Sequence, residues 1–153
     1  MLIRRLGSGD GDVLRILAVD NARFDEPGEG GALQPLTPRA AEHLLANEQA
    51  HVLVAFLGEE PVGFLFAFEL LRRAADVGPS ELYVDEVGVR SDHRREGIGR
   101  ALLDALSQLA RGRGITSGFV FTNASNGPAR ALYESFGGTR PNADDVMFDF
   151  RLG

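Results

Sequence analysis

The sequence predicts a single α/β domain of 153 residues, with strands and helices in the order β-α-α-β-β-β-α-β-α-β. Apolar and β-branched residues dominate three successive segments, 51–57, 62–71 and 80–89, which is typical of strands. Apolar residues then recur at helical spacing from Ile98 to Leu109. A hydrophobic content of 44% and a charged content of 25% are ordinary for a globular domain with its own core.

The other elements follow from local signals along the chain. Thr37-Pro38 predicts the start of the second helix, because Thr caps a helix and Pro fits its first turn. Gly58–Pro61 predicts a hairpin between the second and third strands. The remaining predicted elements are strands at 2–6, 115–122 and 145–152, a helix from Val13 towards Phe24, and a helix over 126–136.

Composition excludes several classes of protein. No run of 18 apolar residues is present, and no apolar segment follows Met1–Arg5, so we expect neither a membrane span nor a secretory signal and place the chain in the cytoplasm. The absence of cysteine excludes disulfides, thiolate metal sites and a cysteine nucleophile, and we expect no metal. The net charge of −6 argues against a nucleic-acid partner and agrees with a cationic substrate.

The most informative stretch runs from Val87 to Leu103 and predicts a strand, a turn and a helix. The turn, Arg94–Arg100, leads into a helix start, where unpaired N–H groups and the helix dipole favour a bound phosphate. Gly97 and Gly99 would let phosphates approach the backbone closely. Residues 90–100 carry four arginines against two acids, a local charge of +2.

This stretch does not match either of two common nucleotide-binding motifs. The dinucleotide fingerprint requires glycine where Leu102 stands, and the Gly-Lys-Ser/Thr of a phosphate-binding loop is absent. The alternative that stays open is an ordinary strand-to-helix turn with a solvated group of arginines.

Two segments carry a resemblance to a known family. Arg94–Gly99 matches the R/Q-x-x-G-x-G/A signature of the GNAT superfamily of N-acetyltransferases, and Asn126–Gly137 resembles its second signature, N-x-x-A-x-x-L-Y-x-x-x-G. The resemblance implies acetyl-CoA as cofactor. It also implies a mixed, mostly antiparallel sheet of six to seven strands, flanked by about four helices and splayed between its fourth and fifth strands.

The resemblance also implies which residues hold the cofactor. The turn would bind the pyrophosphate, and the exposed backbone of the fourth strand would pair with the pantetheine arm. The implied cofactor residues are Val87, Gly88, Val89, Arg94, Arg95, Glu96, Gly97, Ile98, Gly99, Arg100, Asn123 and Asn126. Turn and helix-cap chemistry is the alternative for the two asparagines.

Two residues are the candidates for proton transfer. Tyr133 occupies the motif position of the acid that protonates the leaving thiolate; a core aromatic is the alternative. Asp85 and Glu86 are adjacent on a strand, so we expect them on opposite faces, with at most one at the site. By resemblance the base is Glu86, and solvation of the sheet surface is its alternative.

Residues 80–98, 131–133 and 144–149 resemble the aminoglycoside 3-N-acetyltransferases within that superfamily. This resemblance implies an antibiotic-resistance enzyme that acetylates the 3-amino group of an aminoglycoside. Carboxylates form charge-assisted hydrogen bonds to ammonium groups. The acids expected around the acceptor are Asp25, Glu26, Asp85, Glu86, Asp144 and Asp145.

The chain also departs from that subgroup. Asn126-Gly127 stands where acids are common, and an insert at 138–142 brings Arg140 next to the acidic pair. The alternatives are therefore acetylation of another small amine, such as a polyamine, or of a protein N-terminus. A third hypothesis is a sensor that binds acyl-CoA without turnover. The resemblance is also compatible with a homodimer.

Overall fold

The computed structural model describes residues 1–19, 36–71, 80–140 and 142. The chain divides into two units, Met1–Phe121 and Thr122–Gly153. The first unit contains strands β1 (Leu2–Arg5), β2 (Ala50–Leu57), β3 (Glu60–Leu70), β4 (Glu81–Val89) and β5 (Gly118–Val120), helices α1 (Gly11–Val19), α2 (Pro38–Leu45) and α3 (Ile98–Gly112), and a 3-10 turn at Ser91–His93. The second unit contains helix α4 (Gly127–Ser135).

The described strands form one sheet in the order β1-β2-β3-β4-β5. The first four strands pair antiparallel, and β4 pairs parallel with β5. This confirms the predicted mixed, mostly antiparallel sheet. The strand expected at 115–122 is shorter than predicted, and the one expected at 145–152 lies outside the described residues.

The two faces of this sheet carry different helices. On the front face, Val52, Val54 and Phe64 pack in one apolar cluster with residues of α1 and α2. On the rear face a Cβ at Gly63 would lie 2.8 Å from Ile98 of α3 and 3.4 Å from Leu102. Complete burial of a leucine such as Leu102 stabilises the fold by about 1.5–3 kcal/mol.

Local signals placed several element ends correctly. Thr37 is the N-cap of α2, and its hydroxyl accepts a hydrogen bond from the Ala40 N–H at 3.1 Å. The predicted hairpin is present, with Gly58 in the left-handed region at φ 63°. No helix within residues 1–19, 36–71 and 80–140 is long and apolar enough to cross a bilayer.

His51 of β2 is a fully buried polar side chain on the rear face. Its Nε2 lies 3.6 Å from the Glu69 carboxylate, and neither ring nitrogen has a hydrogen-bond partner among the described residues. Burial lowers the pKa of His51, and the nearby charges of Arg5 and Arg113 lower it further against the opposing effect of Glu69. The imidazole is therefore held neutral in the folded chain.

We expect the stability of the fold to depend on His51 below pH 6.5. The unfolded chain takes up a proton near this ordinary pKa while the folded chain resists it, so stability is complete above 6.5 and is lost as the pH falls towards the lower folded pKa. The slope for one proton is at most about 1.4 kcal/mol per pH unit. Denaturant unfolding between about pH 7.5 and about pH 5.5 should show this slope in the parent chain and lose it in His51→Gln. The control is His43→Gln, which should keep the slope; an equal slope in His51→Gln would contradict the assignment.

Candidate active site

Strand β4 continues beyond its partner β5. Only three of its nine residues, Leu82, Tyr83 and Val84, pair with residues 118–120 of β5. From Asp85 to Val89 the β5-facing edge of β4 is not paired with that strand. This confirms the predicted splay between the fourth and fifth strands, and it leaves a backbone edge to which an extended ligand can add hydrogen bonds.

Gly88 is required on this edge by a close contact. A Cβ on Gly88 would lie 2.5 Å from the Phe64 ring, which packs against the strand from the front face. The sequence predicted either a bulge or a close approach at this glycine. The close approach is present, and the bulge lies earlier in the strand.

The bulge overturns the predicted arrangement of the two strand acids. Phe66 pairs with Glu86 while the next residue of β3, Ala67, pairs with Val84, so Asp85 is an extra residue in β4. Such an insertion breaks the alternation of side chains along the strand. Glu86 shares the front face with Phe66, and Asp85 lies there too because its carboxylate is close enough to the Tyr83 phenol to raise the pKa of that group. Both carboxylates are exposed on one face, so the expectation that they lie on opposite faces of the strand was wrong.

The turn before α3 has the backbone geometry of an anion site. Arg95 and Gly97 both adopt left-handed conformations, with φ of 65° and 82°. Gly97 is the N-cap of α3 and provides no side-chain acceptor for the first N–H groups of the helix. Outside its immediate neighbours, no described atom lies within 4 Å of the position that a Gly97 Cβ would take. The turn therefore fits a diphosphate on open backbone N–H groups.

The arginines of this turn are less available than their number suggests. Arg90 is only 7% exposed, and its guanidinium pairs with the Glu60 carboxylate and, at 3.1 Å, with Asp92. Arg100 pairs with Asp104 at 3.2 Å. Arg94 donates from Nε to the Val89 carbonyl at 3.2 Å. The predicted local charge of +2 counted neither Glu60 nor Asp104, so backbone N–H groups contribute more to this anion site than the sequence indicated.

Arg90 instead holds the end of β4 against the β2–β3 hairpin. Its N–H donates to the Val62 carbonyl at 3.0 Å, and its own carbonyl accepts from the His93 N–H at 2.9 Å. The paired guanidinium adds the contact to Glu60. Sequence reasoning treated Arg90 only as part of a positive cluster, since its main partner lies 30 residues away.

The second unit holds the other predicted site residues. Asn126 is the N-cap of α4, and its side-chain oxygen accepts from the Ala129 N–H at 3.1 Å, so its helix-cap role is present. The Asn123 carbonyl accepts from the Asn126 N–H at 2.9 Å. Tyr133 is half-buried on α4, and burial raises the pKa of its phenol. The phenol is therefore protonated at neutral pH and can act as a proton donor.

The first unit thus brings together the strand acids, the β4 edge and the turn, in one continuous segment. These residues are Asp85, Glu86, Val87, Gly88, Val89, Arg94, Arg95, Glu96, Gly97, Ile98, Gly99 and Arg100. The acids predicted elsewhere at the acceptor site, Asp25, Glu26, Asp144 and Asp145, lie outside the described residues.

We expect Arg90→Met to weaken acetyl-CoA binding by displacing the turn, with roughly a tenfold rise in the KM for acetyl-CoA and a smaller change in kcat. Glu60→Gln should produce a weaker form of the same effect, because it removes the charge of the partner and keeps its shape. Steady-state kinetics with acetyl-CoA as the varied substrate measures both.

The matched control is Arg15→Met, which removes an arginine paired with Asp12 on α1. It should leave the KM for acetyl-CoA unchanged. Equal KM values for Arg90→Met and the parent chain would show that Arg90 does not position the turn.

Comparison with known proteins identifies several acetyltransferases to which the chain is similar. The chain is 31% identical over 111 residues to the thialysine N-epsilon-acetyltransferase of Caenorhabditis elegans, an alignment that covers 71% of this chain and 66% of that protein. It is 36% identical over 75 residues to the ribosomal protein bS18-alanine N-acetyltransferase of Escherichia coli, which covers 49% of this chain and 48% of the relative. The chain therefore spans no more than about two thirds of the length of these curated relatives.

A solved structure is similar over nearly the whole chain. The crystal structure of an aminoglycoside acetyltransferase from an uncultured soil metagenomic sample superposes with a TM-score of 0.85 and 26% identity, covering 99% of this chain and 98% of the other. The model of the Acetyltransferase (GNAT) family matches residues 16–138, which include the β4 edge, the turn and α4. Members of this family use acetyl-CoA as the acyl donor. The chain belongs to the GNAT family of acetyltransferases.

Proposed function

We propose that the chain is an acetyl-CoA-dependent N-acetyltransferase whose acceptor is the 3-amino group of an aminoglycoside. The observation that carries this proposal is the β4 bulge, which presents Asp85 and Glu86 together on the front face, in the part of β4 that extends beyond its pairing with β5. Two exposed carboxylates favour an acceptor with several ammonium groups. The similarity to a soil aminoglycoside acetyltransferase at 26% identity supports the same acceptor class.

The residues of the chain have separate tasks in this reaction. Acetyl-CoA supplies the acetyl group as an activated thioester. The N–H groups around Gly97 would hold the diphosphate, and the backbone at Val87 and Val89 would hold the pantetheine arm. Glu86 takes the proton from the acceptor ammonium, directly or through a water molecule, so that a neutral amine attacks. Tyr133 donates its phenolic proton to the departing thiolate.

A second acceptor class has its own support. The Escherichia coli relative, at 36% identity over 75 residues, is a ribosomal protein alanine N-acetyltransferase, which suggests a protein N-terminus as the competing acceptor. A peptide N-terminus presents one ammonium group, whereas an aminoglycoside presents several. The number of carboxylates at the site therefore favours the aminoglycoside.

The acceptor can be tested by thiol release from acetyl-CoA with a panel of amines. The panel contains gentamicin, other aminoglycosides, spermidine, free amino acids and a peptide with N-terminal alanine. We expect the highest kcat/KM with gentamicin-type aminoglycosides and a product acetylated at the 3-amino group. Turnover of the peptide alone would replace the aminoglycoside by a protein acceptor, and tight acetyl-CoA binding without any turnover would favour a sensor.

We expect Tyr133→Phe to lower kcat by roughly a hundredfold, as for the loss of a general acid, and to leave the dissociation constant of acetyl-CoA within about twofold. Phenylalanine keeps the ring and removes only the hydroxyl, so packing of α4 is retained. Isothermal titration with acetyl-CoA and steady-state kinetics separate the two effects. Parent-like turnover in this variant would return Tyr133 to the role of a packing aromatic.

A further inference from the structure

Three aromatic side chains lie together where β4 pairs with β5. The rings of Tyr83 and Phe119 stack with centroids 5.2 Å apart and an interplanar angle of 25°. Phe121 completes the group, with its centroid 6.2 Å from Tyr83 and 5.6 Å from Phe119. We call these three residues the aromatic platform. Tyr83 pairs with Phe68, so the platform lies on the front face, which also carries Phe66 and Glu86.

The platform is accessible from solvent. Phe121 is 61% exposed, although an aromatic ring of this size is normally buried. A single exposed aromatic residue is common, but here the exposed ring belongs to a packed group that also holds a carboxylate. The Asp85 carboxylate helps to raise the pKa of the Tyr83 phenol, so this acid lies at the edge of the platform.

This combination of groups has a defined ligand chemistry. The faces of aromatic rings attract ammonium groups within about 6 Å, and a neighbouring carboxylate adds a charge-assisted hydrogen bond. An apolar carbon skeleton can pack on the same rings. The platform therefore fits an organic cation with an apolar body, and the net charge of −6 on the chain favours its approach.

The distance along the strand relates the platform to the proposed base. Tyr83 and Glu86 pair with Phe68 and Phe66 of β3, which are two residues apart, so the bulge at Asp85 leaves roughly 7 Å of strand between them. An acceptor whose reacting amine lies at Glu86 can therefore reach the platform only if it extends over this length. Short amines and single amino acids with one amino group do not reach the platform.

We propose that the aromatic platform binds a second ammonium group of the acceptor, roughly 7 Å from the amine that reacts, and so selects long polyamines and aminoglycosides over short amines. The proposal rests on the proposed acetyltransferase function, to which it adds the specificity-determining residues Tyr83, Phe119 and Phe121. Glu86 keeps its role at the reacting amine, and Asp85 joins the platform in holding the distal ammonium group.

The kinetic test uses amines of increasing length, from diaminopropane through longer diamines to spermidine. In the parent chain we expect the KM for the amine to fall once the second nitrogen reaches the platform. Phe121→Leu keeps an apolar side chain and removes the ring, so it should raise the KM for the longest amines about two- to fivefold, with no change for the shortest. The KM for acetyl-CoA should not change in this variant.

A charge variant tests the contribution of Asp85, the carboxylate beside the aromatic platform. Asp85→Asn should raise the KM for spermidine by a larger factor than the KM for diaminopropane, because only spermidine reaches the platform with its second nitrogen. Its control is Asp12→Asn, at an exposed acid of α1 that pairs only with Arg15 among the described residues. The same dependence on amine length in Phe121→Leu, Asp85→Asn and the parent chain would overturn the proposal.

A binding test does not depend on turnover. The chain contains no tryptophan, so Phe121→Trp introduces a single reporter that retains an aromatic face. Its emission should change on titration with spermidine and gentamicin but not with glucose, and the control Leu57→Trp, at the hairpin end of β2, should not respond. If no amine is acetylated, the proposed function fails, and this titration still tests whether the platform binds organic cations. A Phe121→Trp emission that spermidine leaves unchanged would overturn the proposal by itself.

Discussion

The extra residue at Asp85 determines how the second half of β4 is used. In a regular strand that kept Asp85 but had no bulge, alternation would turn Glu86 towards the rear face, where α3 packs and an unpaired carboxylate would be costly to bury. With the bulge, Glu86 and Gly88 lie on the front face and Val87 and Val89 on the rear. The same single-residue shift brings the two strand acids together and places Gly88 under the Phe64 ring.

The direction of β4 then connects the acids to the anion site. The strand runs beyond its three paired residues with β5, ends at Arg90, and is followed within a few residues by the start of α3. Arg90 is fixed by backbone hydrogen bonds to Val62 and His93 and by the carboxylates of Glu60 and Asp92. A strand edge that extends beyond its pairing with β5 and a helix start without a side-chain cap consequently follow each other along one segment, as an extended ligand with a phosphate group requires.

Charge in this region is distributed differently from what the composition suggests. The arginines before α3 are mostly engaged by acids or by a carbonyl of the chain, while the exposed acids lie on the front face of β4. An anion at the turn would therefore be recognised chiefly by N–H groups and the helix dipole. In the proposed function, a cation at the bulge would be recognised by the carboxylates of Asp85 and Glu86, so the two ends of the site would bind charges of opposite sign.

The sequence by itself determined the features that depend on contacts a few residues apart. These are the Thr37 cap, the helix α3, the glycine turn before it and the two family signatures. Only the tertiary structure decided the bulge at Asp85, because it depends on the register against Phe66 and Ala67 of β3. For the same reason, the sequence did not predict that Arg90 pairs with Glu60 or that Tyr83 stacks on Phe119. Residues that are distant in the chain come into contact only after the sheet has formed. A pattern of neighbouring residues does not reveal which residue lies opposite on the adjacent strand.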